Sequence, residues 1–154
     1  MKPNLNAFEI KQLTEANLST FKLLINLFNA VFEEDQSNKG SDMNLLSLLG
    51  NSHFIVMVAL AENEVIGGLT AYRLPMYYSD RSEIFLYDLA VKPNYQRMGI
   101  GKGLIQRLKG YCRENGVKEF FVMADAEDAH AIEFYHSTGG KSEKVVNFLY
   151  EMID

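Results

Sequence analysis

Apolar residues recur along the chain at two alternating periods. Over residues 18–32, Phe21, Leu24, Phe28, Val31 and Phe32 return every three or four positions, the spacing of one helix face. The acidic run Glu33-Glu34-Asp35 follows, then a polar segment, 36–40, read as loop. Ser41 or Asp42 can cap a second short helix, 43–49, which Gly50 stops. Residues 54–61 and 65–74 read as two antiparallel strands joined by Glu62-Asn63-Glu64. Pro75 ends the second, 76–81 is a tyrosine-containing loop, and 83–91 is a third strand. Over 100–115, helical spacing returns, with Ile100, Leu104, Ile105, Leu108 and Cys112 on one face and Gly116 as terminator. A buried strand at 119–124, a helix at 128–137 and a closing strand at 145–152 complete the pattern. It predicts a mixed α/β (α+β) sheet in one domain spanning 1–154, whose strand–helix–strand unit is parallel and right-handed.

Composition narrows the function classes. The chain has 154 residues, 47% of them hydrophobic and 23% charged, as expected of a globular protein with a sizeable core. The longest apolar runs are far too short to cross a bilayer, and the N-terminus has no apolar core of the signal-peptide kind. With one cysteine, Cys112, there is no internal disulfide framework, so a reducing cytoplasm is the expected location. A net charge of −5 argues against nucleic acid as partner and favours cationic ligands. His53, His130 and His136 lack the spacing of a metal site, and Cys112 lies on a helix's apolar stripe, so neither metal binding nor a cysteine nucleophile is expected.

The most chemical stretch runs from Ile84 to Leu104: an apolar strand, a glycine turn, then a helix. Gln96-Arg97-Met98-Gly99-Ile100-Gly101 sets two glycines at the helix mouth, where unpartnered N–H groups and the positive dipole end suit phosphate. A dinucleotide fold would need its G-x-G-x-x-G near the N-terminus and an acid about 20 residues on. A P-loop would need a hydroxyl after Gly101-Lys102, where Gly103 stands. The third pattern, Gln/Arg-x-x-Gly-x-Gly/Ala after the Val91-Lys92-Pro93 turn, resembles the pyrophosphate signature of the Gcn5-related N-acetyltransferase (GNAT) superfamily.

A second segment, Asp128-Ala129-His130-Ala131-Ile132-Glu133-Phe134-Tyr135 with Gly139-Gly140, resembles that superfamily's N-x-x-A-x-x-L/F-Y-x-x-x-G-F helix. Asp128 stands where Asn is usual and Gly140 where an aromatic is usual. The Leu74-Pro75 pair, Arg81-Ser82-Glu83-Ile84 and Tyr87-Asp88-Leu89-Ala90-Val91 are similar to the small aminoglycoside 3-N-acetyltransferases of the superfamily, over about residues 27–150. The resemblance implies a GNAT-like acyl-CoA N-acyltransferase fold, a mixed central sheet with helices on both faces, and acetyl-CoA as co-substrate.

Transfer to an amine needs a neutral nucleophile, an aligned thioester, stabilisation of the carbonyl oxygen and a proton for the leaving thiolate. Backbone amides around Met98, Gly99, Ile100 and Gly101, with the charges of Arg97 and Lys102, are the expected diphosphate donors. The resemblance assigns the cofactor site Leu89, Ala90, Val91, Gln96, Arg97, Met98, Gly99, Ile100, Gly101, Lys102, Asp128, Ala131 and Tyr135. Backbone groups of Leu89 and Val91 would pair with pantetheine, and Tyr135 would protonate the departing sulfur. Asp88, a carboxylate amid Leu86, Leu89 and Val91, reads as base or ammonium-binding group; a structural acceptor or an exposed residue is the alternative. Strict alternation sets Glu83 and Tyr87 opposite Asp88, an inference that a bulge would reverse.

Glu33, Glu34 and Asp35 in one loop, and Asp125, Glu127 and Asp128 after a strand, are expected to meet a cationic acceptor, with Tyr87 and Asp88. Tyr77 and Tyr78 are candidates for a sugar-stacking wall. An aminoglycoside amine at the 3-N position is the expected acceptor. A polyamine, an amino acid, a peptide amine, or a coenzyme-binding sensor without catalysis are the alternatives. An open sheet edge suggests a homodimer.

Overall fold

The structure, a computed structural model, describes residues 2–5 and 7–153. It divides into two compact units, Met1–Met123 and Ala124–Asp154, taken here in turn. The first unit carries β1 (Glu9–Gln12), α1 (Leu18–Val31), α2 (Asp42–Leu49), β2 (Phe54–Ala61), β3 (Glu64–Pro75), β4 (Ser82–Val91), α3 (Ile100–Glu114) and β5 (Phe120–Val122). The strands lie in chain order, antiparallel except for the β4–β5 pair, which is parallel. Only that pair needs a crossover, and α3 provides it.

The sheet is covered on both faces, as expected. On one face Phe54, Val56 and Val58 of β2 meet Phe21, Leu24, Leu27 and Phe28 of α1 and Leu45 of α2. The alternate residues Ile55, Met57 and Ala59 are equally buried, as are Ile100, Leu104, Ile105 and Leu108 of α3. Burial on both faces explains why β2 reads as a continuous apolar run. Two adjacent glycines on β3 let the two helices approach. A Cβ on Gly67 would lie 3.3 Å from Ile100 of α3, and one on Gly68 would lie 2.5 Å from Leu24 of α1. Cys112 is buried on α3, and burial pushes its thiol above the usual range, as a core residue should behave.

Local chemistry explains most element ends. The Ser41 hydroxyl accepts from Asn44 N–H at 3.2 Å and starts α2. Glu62 and Asn63, both at positive φ (50° and 68°), form the tight turn between β2 and β3. β1 was not anticipated: Glu9-Ile10-Lys11-Gln12 is short and half polar, and is held as an edge strand by its register with residues 57–60 of β2.

The second unit contains α4 (Ala129–Ser137), capped by the Asp128 carboxylate, which accepts from Ala131 N–H at 3.0 Å. The helix closes in a left-handed turn at Gly139 (φ 98°), with Gly139 N–H donating to His136 O and Gly140 N–H to Tyr135 O. A Cβ at Gly140 would sit 3.0 Å from that Tyr135 carbonyl, a local reason for glycine where the resemblance expects an aromatic. The strand expected at 145–152 is corrected: these residues have no regular structure and are exposed. A strand exists only through a ladder, and no described residue supplies a partner for this one.

Gly68→Ala forces its new methyl against Leu24 and the Met57 carbonyl, 2.7 Å away. Denaturant unfolding should register a loss of about 1–3 kcal/mol; an unchanged midpoint would show that α1 shifts freely.

Candidate active site

β4 is irregular where its chemistry is concentrated. Thr70 of β3 faces Asp88, but the next residue, Ala71, faces Leu86, so Tyr87 is an extra residue in β4. The bulge brings Tyr87 and Asp88 to the same side of the strand, reversing the alternation that set them apart. Tyr87 meets Tyr72 and Phe85 edge-on, with ring centroids 5.7 and 5.5 Å apart. Tyr72 is the register partner of Phe85 and belongs to the face that carries Phe54. Asp88 is half-buried, and among the described residues no side chain or backbone N–H donates to its carboxylate. Burial pushes its carboxyl above the ordinary range. The Tyr72 phenol is also raised, first by burial and then by Tyr87 and Asp88.

Beyond the bulge, β4 loses its outer neighbour. The β4–β5 ladder covers only Ile84, Phe85 and Leu86, so the edge along Tyr87, Asp88, Leu89, Ala90 and Val91 is open among the described residues. An open edge is a template for an added extended chain. The other edge of this stretch is fixed, since Leu89, Ala90 and Val91 face Leu69, Gly68 and Gly67 of β3.

The turn after β4 is tied to the strand end. Gln96 Nε2 donates to Val91 O at 3.0 Å, and Lys92 N–H donates to Ile66 O at 2.8 Å. Arg97 adopts φ 62° and Gly99 φ 85°, and Gly99 is the N-cap of α3 without a side-chain cap bond. Nothing lies within 4 Å of a Cβ built at Gly99, so backbone conformation and not crowding calls for glycine here. Among the described residues, no acceptor takes the N–H groups of Arg97, Met98, Gly99, Ile100, Gly101 and Lys102. Those donors, with the helix dipole and two exposed cationic side chains, fit a diphosphate in chemistry.

The acidic candidates are placed differently. Glu33, Glu34 and Asp35 form an exposed turn after α1, with Glu33 at φ 57°. Asp35 accepts from the backbone and hydroxyl of Ser37, which hold its carboxyl below the ordinary range. No hydrogen bond or ion pair among the described residues links this turn to β4. Asp125, Glu127, Asp128, Ala131 and Tyr135 belong to the second unit. Asp125 accepts from Glu127 N–H at 2.9 Å, and Asp128 is committed to capping α4. Tyr135 is half-buried and packs edge-on against Phe134. Tyr78 donates to Glu83 at 3.0 Å, while Tyr77 is fully exposed. Among the described residues, no group of three or more His, Cys, Asp or Glu could hold a metal ion.

Sequence reasoning did not single out Tyr72, Phe85 and Phe121. Phe85 and Phe121 stack at 4.9 Å across the parallel pair, so a run of ring contacts joins Tyr72 and Tyr87 to Phe121 across three strands. The signal was the pairing of Tyr72 with Phe85, which depends on a register that the bulge sets.

The comparisons converge. Residues 21–139 match the model of the acetyltransferase (GNAT) family. An aminoglycoside acetyltransferase, meta-AAC0020, from an uncultured soil metagenomic sample and crystallised with trehalose, is 44% identical. The match covers 96% of this chain and 98% of that one, with a TM-score of 0.92. A structure of the same enzyme with sisomicin matches at 43% identity over the same shares, also with a TM-score of 0.92. The ribosomal protein bS18-alanine N-acetyltransferase of Escherichia coli strain K12 is 30% identical over 88 residues, 57% of this chain. The chain spans 58% of the length of that curated relative.

A raised carboxyl means that the native state holds its proton more tightly than the unfolded chain does. Stability contributed by Asp88 is therefore highest in acid and falls as pH rises from the ordinary 3.8 through the folded value. Asp88→Asn removes that penalty, so melting at pH 7–8 should occur at a higher temperature than in the wild type. The gap should close toward pH 4; a gap that widens in acid contradicts the placement.

Proposed function

Since this chain belongs to the acetyltransferase (GNAT) family, we propose that it is an N-acetyltransferase that moves acetyl from acetyl-CoA to an amine of an aminoglycoside, at the 3-N position. The observation that carries this reading is Asp88: half-buried, unpartnered among the described residues, and set by a bulge beside Tyr72 and Tyr87. A carboxylate with no internal partner is costly unless a ligand answers it. A cationic sugar answers it with an ammonium and with ring faces for the aromatic side chains. The aminoglycoside acetyltransferase solved with sisomicin, similar over nearly the whole chain, supports the same acceptor class.

Acetyl-CoA, when bound, supplies an activated acetyl group. The amides of Arg97, Met98, Gly99, Ile100, Gly101 and Lys102 hold its diphosphate, and the open edge at Leu89, Ala90 and Val91 aligns the pantetheine arm as an added strand. An N–H on that edge donates to the carbonyl oxygen as negative charge develops there. Asp88 takes the proton from the acceptor nitrogen as the new N–C bond forms. The Tyr135 hydroxyl gives a proton to sulfur as the C–S bond breaks, a transfer that the similar pKa values of phenol and thiol favour. Glu33, Glu34, Asp35, Asp125 and Glu127 attract the remaining ammonium groups, and Asp128 and Ala131 place α4 against the cofactor.

Thiol release from acetyl-CoA, measured with sisomicin, spermidine and an N-terminal alanyl peptide, tests the reading. Sisomicin should be the best acceptor by kcat/KM. Preference for the peptide would reassign the substrate, and release with none of a broad amine panel would leave a coenzyme-binding sensor.

Two substitutions test the roles. Tyr135→Phe should slow turnover by roughly 100-fold with little change in acetyl-CoA affinity. Asp88→Asn should lower kcat/KM by about 100-fold or more at neutral pH, and further in acid, where the acceptor is ammonium. An unchanged rate in either variant removes that residue from its role.

A further inference from the structure

Three polar side chains are buried among the described residues: Asn29, Thr70 and Thr138. Asn29 donates to the Asn38 carbonyl and Thr138 to the Tyr135 carbonyl, each at 3.0 Å. Thr70, in the middle of the central strand β3 and only 7% exposed, has no such bond from its hydroxyl. A β-branched residue suits a strand, but Val would serve as well, and a buried hydroxyl costs free energy unless a hydrogen bond answers it. Every described side-chain nitrogen or oxygen that is sealed from solvent has a partner. The unpartnered oxygen of Thr70 is therefore part of the small surface that this residue keeps, and it looks into an opening.

The sheet register identifies that opening. Residues opposite each other in a ladder share a face. Val56 of β2 faces Thr70, and Thr70 faces Asp88, so the three form one row across the sheet. Val56 belongs to the core cluster under α1, as does Ala90, two residues beyond Asp88. A Cβ on Gly68, two residues before Thr70, would meet Leu24 of α1. The row thus lies on the α1 face, and burial falls along it from Val56, 1% exposed, through Thr70 to the half-buried Asp88. Opposed side chains have Cβ atoms about 4.5–5.5 Å apart. Among the described residues no hydrogen bond joins the Thr70 hydroxyl to the Asp88 carboxylate, so two neighbouring polar groups on one face both lack a partner.

We infer that the Thr70 hydroxyl is a second acceptor-binding group, which holds the attacking amine jointly with Asp88. The inference rests on the acetyl-transfer reading above and names what the acceptor must present, a primary amine. A neutral primary amine has two N–H bonds and one lone pair. One N–H donates to the Asp88 carboxylate and the other to Thr70 Oγ1, which leaves the lone pair for the thioester carbon at the open edge of β4. As the N–C bond forms and the C–S bond breaks, the proton facing Asp88 passes to its carboxylate, and Thr70 neither gains nor loses one. A secondary amine has a single N–H, so it satisfies one of the two oxygens and leaves the other bare.

Thr70→Val keeps the shape of the side chain and removes its oxygen. Because the free protein makes no bond to that oxygen, the melting temperature should not fall. The acceptor kcat/KM should fall by roughly 10- to 100-fold with the KM for acetyl-CoA unchanged, and Thr70→Ser should recover most of the loss. The acceptor is whichever of sisomicin, spermidine and the alanyl peptide the wild type acetylates, because all three present a primary amine. A wild-type rate in Thr70→Val overturns the inference. So does a loss that Ser fails to recover, or one that comes with a lower melting temperature, since each marks a packing role. If the wild type acetylates none of the three, the acetyl-transfer reading has failed and the inference falls with it. If Asp88→Asn keeps the full rate, the base role alone fails, and the comparison of Thr, Val and Ser still decides the hydroxyl.

Discussion

Between Thr70 and Ala71 of β3, the facing strand β4 carries one residue more than it can pair, and the site is arranged around that mismatch. In an unbroken ladder, Tyr87 and Asp88 would lie on opposite faces and the carboxylate would lose its aromatic neighbours. With the extra residue accommodated as a bulge, both serve one side of the sheet. The outer ladder to β5 covers only the stretch before the bulge, so main-chain groups from Tyr87 onward are left for something other than a strand. Position of the carboxylate and availability of the strand edge are two results of one irregularity.

The rest of the first unit holds that irregular strand still. β3 sits in the middle of the sheet, and its adjacent glycines let α1 press on one face and α3 on the other. β4 leans on β3 through Leu69, Gly68 and Gly67, and Gln96 binds the following turn back to Val91. The six free amides at the start of α3 are thereby fixed relative to the open edge of β4. A diphosphate held at one and an extended chain held at the other would be parts of one ligand.

Much of this could be read from the residues. The bounds of β2 follow from its apolar run, and α1, α2 and α3 from their periodicity and caps, because burial and capping leave direct marks on composition. The glycine turn was visible for the same reason: a positive φ restricts residue choice. Three features were not visible. β1 is too short and too polar to stand out, and it exists through its neighbour. The bulge is a property of two strands in register, so Tyr72, Phe85 and Phe121 could not be linked to Asp88 from one strand's pattern. Residues 145–152 have the alternation of a strand, yet alternation states a preference for a partner without providing one.

Cys112 leaves the surface of this protein without a thiol among the described residues. Its sulfur is packed inside α3's apolar stripe, and burial raises its thiol above the usual range, so slow reaction with electrophilic reagents is the expected outcome. A chromogenic disulfide added to the reaction would therefore report liberated coenzyme against a quiet protein background. A single cysteine engineered at the surface would take a fluorophore or spin label without first stripping the native one from the core.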